Sequence, residues 1–180
     1  GGAACFWPGF TRAEGESIEG GGWSPSTVLA AGRAANQAAF ALGGTDILFS
    51  GAHVMGWSTS VVAPPDGSMA DYMRSLDRLI ERGDGLFLPG HGGPIAEPQG
   101  FVRGLKTHRR MRERAILERL KAGDRTIRQI VEAIYRDTDP RLHNAAGMSV
   151  LAHLEDLVDK GLVRTAGGSA SIDGIFSPAA

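Results

Sequence analysis

The sequence has a single cysteine, Cys5, among 180 residues. One thiol excludes an internal disulfide and a multi-cysteine zinc finger. No apolar run approaches the ~18 residues that a membrane helix needs, and no charged-then-apolar leader opens the chain. From these absences we expect a cytoplasmic protein with no membrane association.

An excess of either charge is also missing. The 19 Lys and Arg residues oppose 20 Asp and Glu residues, which leaves a formal net charge of -1. This balance excludes a generally basic nucleic-acid coat and an acidic solvating tail. With 42% hydrophobic and 22% charged residues, the chain can bury a core of its own.

Glycine, in contrast, is abundant, with 26 residues that follow no period. Many of them form short clusters between apolar segments, where turns with positive φ are needed. Glycine clusters at this spacing favour a first half of the chain that is rich in β-strands. The apolar segments predict strands and extended pieces at 27–31, 37–42, 47–50, 59–63 and 86–88.

Two helices are predicted among these strands. Ser68, with Asp71 three residues later, resembles a capping box and predicts a helix that ends at Gly83. Pro98 begins a longer predicted helix that ends at Gly123. The order β-β-β-α-β-α indicates a layered α/β fold class.

The last third of the chain changes character. Thr126 begins a predicted helix, a second helix occupies 148–158, and segments 162–165 and 171–176 are suited to a hairpin. Short helices followed by a two-stranded wing are typical of a winged helix. We therefore divide the chain into three parts: an irregular lead-in at 1–22, an α/β unit at 23–122 and a winged-helix domain at 123–180.

Two histidines lie where a strand opens into a glycine-rich loop. His91 is in the segment LPGHGGP at 88–94, and His53 is in FSGAHVMGWSTS at 49–60. Loops at strand ends are common positions for binding and catalytic residues. A lone histidine there is more often a hydrogen-bonded structural residue than a metal ligand, and one histidine cannot hold a hydrolytic zinc, which needs about three protein ligands.

Segments 48–66 and 86–95 together resemble the second half of a metallo-β-lactamase-fold hydrolase. The branch that they resemble has a C-terminal winged helix and includes lactamase-β-like hydrolases and endoribonucleases, and the resemblance covers about residues 20–165. For a complete member it implies an αββα sandwich of two similar halves. It also implies hydrolysis of ester, thioester, lactam or phosphodiester bonds.

The zinc ligands of that family are largely missing here. No His-x-His-x-Asp-His motif is present, and the ligand histidine after Thr-Pro-Gly corresponds to Arg33. The bridging aspartate of a Gly-Asp-His triplet corresponds to Ala52, and only the last ligand is retained, as His91. Since a guanidinium repels a metal ion and a methyl group has no lone pair, we expect no cofactor and no zinc-dependent turnover.

A pocket of Arg33, His53, Trp57 and His91 would remain. We expect Arg33 and Trp57 to bind a small-molecule substrate with an anionic group, and His91 or His53 to act as a general base. The protein would then be a degenerate hydrolase relative with a residual or repurposed metal-independent activity on ester or phosphoester bonds. Whether it is an enzyme stays open at this stage.

Half of a sandwich leaves an apolar sheet face bare, which soluble monomers rarely tolerate. We therefore predict a homodimer in which two half-sandwiches pack isologously through that face. The alternative is a piece of a longer protein, or a half-enzyme completed in trans by a separate chain with the missing histidine motif.

Other features have plainer interpretations. Cys5 is followed by the apolar pair Phe6-Trp7, so we expect the thiol to be buried or interfacial rather than nucleophilic. The basic cluster at 107–114 suits phosphate contacts or a solvated helix face. The last helix of the winged-helix domain carries three carboxylates against one lysine, so nucleic-acid binding is not expected there. A non-enzymatic interaction or RNA-binding module remains the alternative function.

Overall fold

A computed structural model describes residues 12–179 of the chain. The interpretation of Cys5, and of the lead-in up to residue 11, lies outside the described residues. The described part is a mixed α/β structure with a five-stranded sheet, four α-helices and a separate two-stranded sheet. The α/β fold class predicted from the sequence is confirmed.

The elements follow one another in this order: β1 (Pro25–Leu29), β2 (Ala38–Leu42), β3 (Ile47–Gly51), α1 (Met69–Arg82), β4 (Leu86–Pro89), β5 (Ile95–Ala96), α2 (Pro98–Lys121), α3 (Ile127–Ile134), α4 (His143–Asp159), β6 (Val163–Thr165) and β7 (Phe176–Pro178). A 3-10 turn (Pro140–Leu142) leads directly into α4. Among the described residues, no helix is long and apolar enough to cross a membrane.

The large sheet has the strand order β1-β2-β3-β4-β5. Strands β1, β2 and β3 form antiparallel pairs, whereas β3 and β4 are parallel because α1 crosses over between them. Helices α1 and α2 cover one face, where Leu48 and Phe87 from the strands are buried with Leu76 and Val102 from the helices.

Helix ends follow local sequence signals. The Ser68 side chain accepts a hydrogen bond from the Asp71 amide at 3.3 Å, and Gly83 ends α1 in the left-handed conformation. Thr126 and Gln129 form a reciprocal capping box at the start of α3. The predicted starts of both helices and the stop at Gly83 are confirmed, because each depends on side-chain hydrogen bonds or φ preferences within a few residues.

Three predicted elements differ from the structure. Residues 59–63 form a loop and no strand. The Ser60 carbonyl accepts a hydrogen bond from the Arg109 guanidinium and none from a neighbouring strand. Helix α4 begins at His143, five residues before the predicted start, because the 3-10 turn feeds into it. The second wing strand is β7, which is later than the predicted 171–176.

Two hydrophobic clusters lie in the described part of the chain. The first lies under the large sheet and includes Val102 and Leu105 of α2; the second lies in the winged helix and includes Ile116 and Leu120 of the same helix. Ala152 of α4 packs in the first cluster. Helix α2 therefore contributes to both clusters, and the predicted boundary near residue 122 stays a prediction.

Candidate functional site

The two glycine-rich loops meet at one edge of the sheet. Because β3 and β4 are parallel, their carboxyl ends lie side by side, and the Gly90 amide donates to the Gly51 carbonyl at 2.8 Å. Further along the loops, the Gly56 amide donates to the His91 carbonyl at 2.9 Å. A Cβ on Gly56 would lie 2.4 Å from the Gly93 carbonyl oxygen. This close packing requires glycine, and it fixes His91 beside the loop that follows β3.

The open edge presents a histidine and an aromatic ring. His91 is exposed, and Trp57, next to Gly56, is 74% exposed. Ala52 is half-buried directly after β3. The structure thus brings His91, Ala52 and Trp57 to the same edge, as the strand-end positions indicated.

Arg33 lies in the turn between β1 and β2, which is at the same end of the sheet because β2 begins beside the end of the antiparallel strand β3. The turn is held to α1, since the Ser68 amide donates to the Gly32 carbonyl at 2.8 Å and the Ser75 hydroxyl donates to the Ala31 carbonyl at 2.7 Å. Arg33 itself is exposed. The turn that carries Arg33 and the loop that carries His91 are therefore at the same end of the sheet.

Gln37 at the end of the same turn was missed by the sequence analysis. Its Nε2 lies 3.8 Å from the position that a Cβ on Gly51 would take. Its Oε1 is buried and has no hydrogen-bond partner within residues 12–179. Buried polar atoms are usually satisfied, but because this oxygen is inaccessible to solvent, a ligand at the open edge does not reach it in this conformation. An isolated glutamine before a strand carries no motif that could have revealed it.

His53 lies below the edge rather than on it. The residue is 0% exposed, and its ring centroid is 4.7 Å from that of Tyr72. Burial, and then the charge of Arg78, lower the pKa of His53 to about 4 against an opposing contribution from the Ala30 backbone. A substrate in the open edge cannot touch this ring, so the structure does not place His53 in the pocket in which the sequence analysis had put it.

The backbone at His53 is instead an anchor for the loop. The Tyr72 hydroxyl and the Ser60 hydroxyl both donate to the His53 carbonyl, at 3.2 and 3.0 Å, and the Ser60 hydroxyl lies 2.7 Å from the Ala52 carbonyl. Burial raises the pKa of Tyr72 above its ordinary value, which keeps its hydroxyl available as a donor. These bonds hold Ala52 and its neighbours in one position.

Arg109 belongs to this buried network. The predicted basic cluster at 107–114 included it as a surface residue, but it is only 4% exposed. Its guanidinium donates to the Ser60 carbonyl and lies 5.3 Å from the centroid of the Tyr72 ring. Its spacing of four residues from Leu105 places it on the buried stripe of α2, and this spacing could have separated it from its exposed neighbours.

The remaining histidines lie in and near the winged helix. His153 of α4 is 2% exposed, and neither ring nitrogen has a hydrogen-bond partner within the described part of the chain. The half-buried ring of His143 lies 3.3 Å from the Tyr135 carbonyl and 3.2 Å from the Thr138 carbonyl. His143 thus holds the turn after α3, which is a packing role.

The side chains at the edge do not suit the dinuclear zinc centre that the family resemblance implies. Of the three corresponding positions, Arg33 is a permanent cation, Ala52 offers no lone pair and His91 is a single donor. Across residues 12–179, no group of three or more His, Cys, Asp or Glu side chains is placed to hold a metal ion. The residues that are present do not fit the metal, and no chemical step is derived through it.

Comparison with known sequences supports the family resemblance. A sequence profile described as "Beta-lactamase associated winged helix domain" matches residues 126–171. The chain is 33% identical over 125 residues to "Beta-lactamase-like protein 2 homolog" of Drosophila melanogaster, a match that covers 65% of this chain and 40% of that protein.

Solved structures show the same fold. A metallo-beta-lactamase family protein from Thermus thermophilus is 26% identical, with a TM-score of 0.78 over 92% of this chain and 53% of the other. A beta-lactamase domain protein from Burkholderia ambifaria is 23% identical, with a TM-score of 0.82 over 96% of this chain and 53% of the other. The chain thus spans about half the length of these two structures.

Proposed function

We propose that this chain, which has the fold of the C-terminal half of a metallo-β-lactamase-family protein with a winged helix, is a zinc-independent relative of these hydrolases. It binds a small anionic ester or phosphoester at the loop edge and hydrolyses it slowly. The proposal is supported by the exposed side chains of Arg33 and His91 on loops at the same end of the sheet, where the family resemblance implies metal ligands.

Each side chain has a defined part in this proposal. The Arg33 guanidinium binds the carboxylate or phosphate of the substrate through paired N–H donors. Trp57 supplies an exposed ring against which an apolar leaving group packs.

His91 acts on the attacking water. Its imidazole takes a proton from water while the water oxygen bonds to the carbonyl carbon or the phosphorus. The bond to the leaving alkoxide then breaks, and the alkoxide takes the proton back from the imidazolium. No metal-bound hydroxide takes part, so the rate is far below that of a zinc hydrolase.

The test is turnover of chromogenic carboxylate and phosphate esters by protein treated with a chelator and assayed for zinc. We expect turnover that survives the chelator and falls about 100-fold in His91→Ala, the usual scale for a lost general base. Arg33→Ala is expected to raise KM about 10-fold, as for a lost charged hydrogen bond. The matched controls are His143→Ala and Arg136→Ala, both outside the edge.

Several outcomes would contradict the proposal. Stoichiometric zinc in the purified protein would do so, as would turnover that the chelator abolishes. Zinc-dependent turnover that appears only after addition of the remaining half of the Thermus relative would favour the half-enzyme completed in trans. Equal activity in His91→Ala and the unchanged protein would remove His91 from the reaction.

A second candidate function rests on a ridge of arginines on α2, formed by Arg103, Arg110 and Arg114. All three are exposed, and none forms an ion pair with a carboxylate in the described structure. At about 100° and 1.5 Å per residue they lie along one line roughly 16 Å long. Arg109 faces the other way, into the core. Such a ridge is suited to the phosphates of single-stranded RNA, as in an interaction module.

The ridge predicts salt-sensitive binding of a fluorescent single-stranded oligonucleotide. Changing all three ridge arginines to glutamine should weaken binding at least about 10-fold and flatten the dependence on salt concentration, since fewer counterions are released. Arg136→Gln is the matched control, because Arg136 is also exposed but lies outside the ridge. Binding that is unchanged in the triple variant, or that does not weaken with salt, would contradict this candidate.

A further inference from the structure

A groove of about 610 Å³ lies in the winged helix, between α3, the first half of α4 and the loop before β7. Its apolar lining comes from all three: Ile127 and Val131 from α3, Met148 from α4 and Ile172 from the loop. Ile172 is 45% exposed although its side chain is large and aliphatic. A concave surface of this size and lining is in the range of small-molecule sites, and none of the side chains proposed to act at the sheet edge contributes to it.

Gly147 of α4 lies beside this groove for no reason that the fold supplies. It is buried in the interior of a 17-residue helix, where glycine is less favourable than alanine. Its φ is outside the left-handed region. An added Cβ would make only ordinary contacts, 3.6 Å from Ile127 Cγ2 and 3.9 Å from Ile172 Cδ1. The helix would therefore accept alanine, and the effect of glycine is to leave space between two side chains that line the groove.

The charged side chains around the groove are predominantly acidic. Glu132 of α3 and Asp173 of the loop contribute two carboxylates, against the single guanidinium of Arg128. All three are exposed, and none of them forms an ion pair within residues 12–179. Carboxylates bind most strongly to charged N–H donors, so this lining favours a ligand with a positive charge.

His143 adds a further acceptor to the lining. Its Nε2 lies 3.3 Å from the Tyr135 carbonyl oxygen and 3.2 Å from the Thr138 carbonyl oxygen. Because a carbonyl oxygen can only accept, Nε2 is the nitrogen that carries the proton, and Nδ1 is left with a lone pair. The ring lines the groove, which thus offers acceptors to a ligand that brings N–H groups.

We propose that this groove binds a small amphipathic amine, a molecule with an apolar body and a protonated nitrogen. The body packs on Ile127, Met148 and Ile172 and uses the space that Gly147 leaves. The ammonium group donates to the carboxylates around the groove. Since these carboxylates outnumber the guanidinium, an amine binds more tightly than a carboxylic acid with the same apolar body.

Three probes that share one apolar body test the charge of the ligand. Phenylpropylamine, phenylpropanol and phenylpropionate are titrated separately into isotopically labelled protein at neutral pH, and the backbone amide shifts are followed by two-dimensional NMR. We expect the amine to give saturable shifts at the groove, including those of Gly147 and Ile172. The alcohol should bind with a Kd at least about 10-fold higher, the loss of a charged hydrogen bond, and the carboxylate should bind more weakly still.

Gly147→Ala and Gly104→Ala form a matched pair of variants. Gly104 is also inside a helix, α2, and nothing lies within 4 Å of the position of its Cβ. Both exchanges should raise the urea concentration at the midpoint of unfolding, because alanine is the better helix former. Only Gly147→Ala should weaken amine binding, by at least about 5-fold, because its methyl group occupies space that the ligand body uses.

A second set of variants tests the carboxylates. The double exchange Glu132→Gln and Asp173→Asn should remove most of the preference for the amine over the alcohol. Glu81→Gln is the matched control, because Glu81 is also exposed but lies on α1, and it should leave the preference unchanged.

Several results would overturn the proposal. Amine shifts that do not saturate, or that lie outside the groove, would remove the site. Equal or tighter binding of phenylpropionate would assign the groove to an anionic ligand. Unchanged amine affinity in Gly147→Ala would show that the ligand does not use this space, and a lower unfolding midpoint in that variant would show that the fold itself requires the glycine. Groove shifts that depend on protein concentration without any probe would assign the groove to a second copy of the chain.

Discussion

Replacing Gly32 by alanine is expected to lower the free energy of unfolding by about 3 kcal/mol or more. Gly32 has a φ of 136°, which L residues rarely adopt, and an added Cβ would lie 2.3 Å from Tyr72 Cα and 2.4 Å from the Tyr72 nitrogen. Both neighbours are main-chain atoms inside α1, so no side-chain rotation can relieve the contact. The helix and the turn that carries Arg33 would have to move apart.

Gly44→Ala separates the clash from the conformational cost. Gly44 also has positive φ, at 74°, but nothing lies within 4 Å of the position of its Cβ. We expect a loss of about 1–2 kcal/mol there, the ordinary cost of a left-handed residue. Urea unfolding followed by circular dichroism measures both variants. Equal losses would mean that the contact between Gly32 and Tyr72 does not hold the turn.

The parts of the fold that could be predicted from sequence are those with local physical causes. Ser68, Gly83 and Thr126 mark helix ends through bonds and φ preferences within four residues. The Gly43-Gly44 pair marks the turn between β2 and β3 for the same reason. Strand β5 has only two residues, so it has no period to detect. Segment 59–63 has strand-like composition, but no neighbouring strand pairs with it.

The sequence predicted which residues of the candidate site lie at strand ends, but it did not predict which of their side chains are buried. Strand-end loops with glycine indicated His91 and Trp57, and both are exposed at the sheet edge. His53 has equally glycine-rich flanks, yet it is buried. Ser60, Tyr72 and Arg109, which are 7 to 56 positions away in the chain, pack together next to its backbone. Only the tertiary structure reveals these contacts. The depth of a side chain depends on such distant contacts, whereas its place at the end of a strand depends on neighbours.

Acidification from pH 7 to pH 5 is expected to destabilise the protein by about 4 kcal/mol through His53 and His153. Burial lowers the pKa of His53 to about 4, and burial with the nearby charges of Arg109, Lys160, His108 and Arg112 lowers that of His153 to about 3. In the unfolded chain both imidazoles titrate near 6.5. Both pKa values are lowered chiefly because burial disfavours the charged imidazolium.

The sign follows from proton counts. Well above pH 6.5 neither state binds these protons, and stability is unaffected by them. As the pH falls through about 6.5, the unfolded state takes up protons that the folded state does not, and the difference approaches two protons near pH 5, so the free energy of unfolding falls as the pH falls. His108 adds to the same trend, because burial and then Arg109 and Arg112 lower its pKa as well.

Chemical unfolding at several pH values between 5 and 7 measures this dependence. His153→Leu fills the same buried position without a titrating group, so the fall in the free energy of unfolding between pH 7 and pH 5 should shrink by about half. His143→Gln is the matched control, since His143 is only partly buried and bonds to backbone carbonyls. A free energy of unfolding that stays constant or rises from pH 7 to pH 5 would show that both buried rings accept a proton in the folded state, which their unpartnered nitrogens do not support.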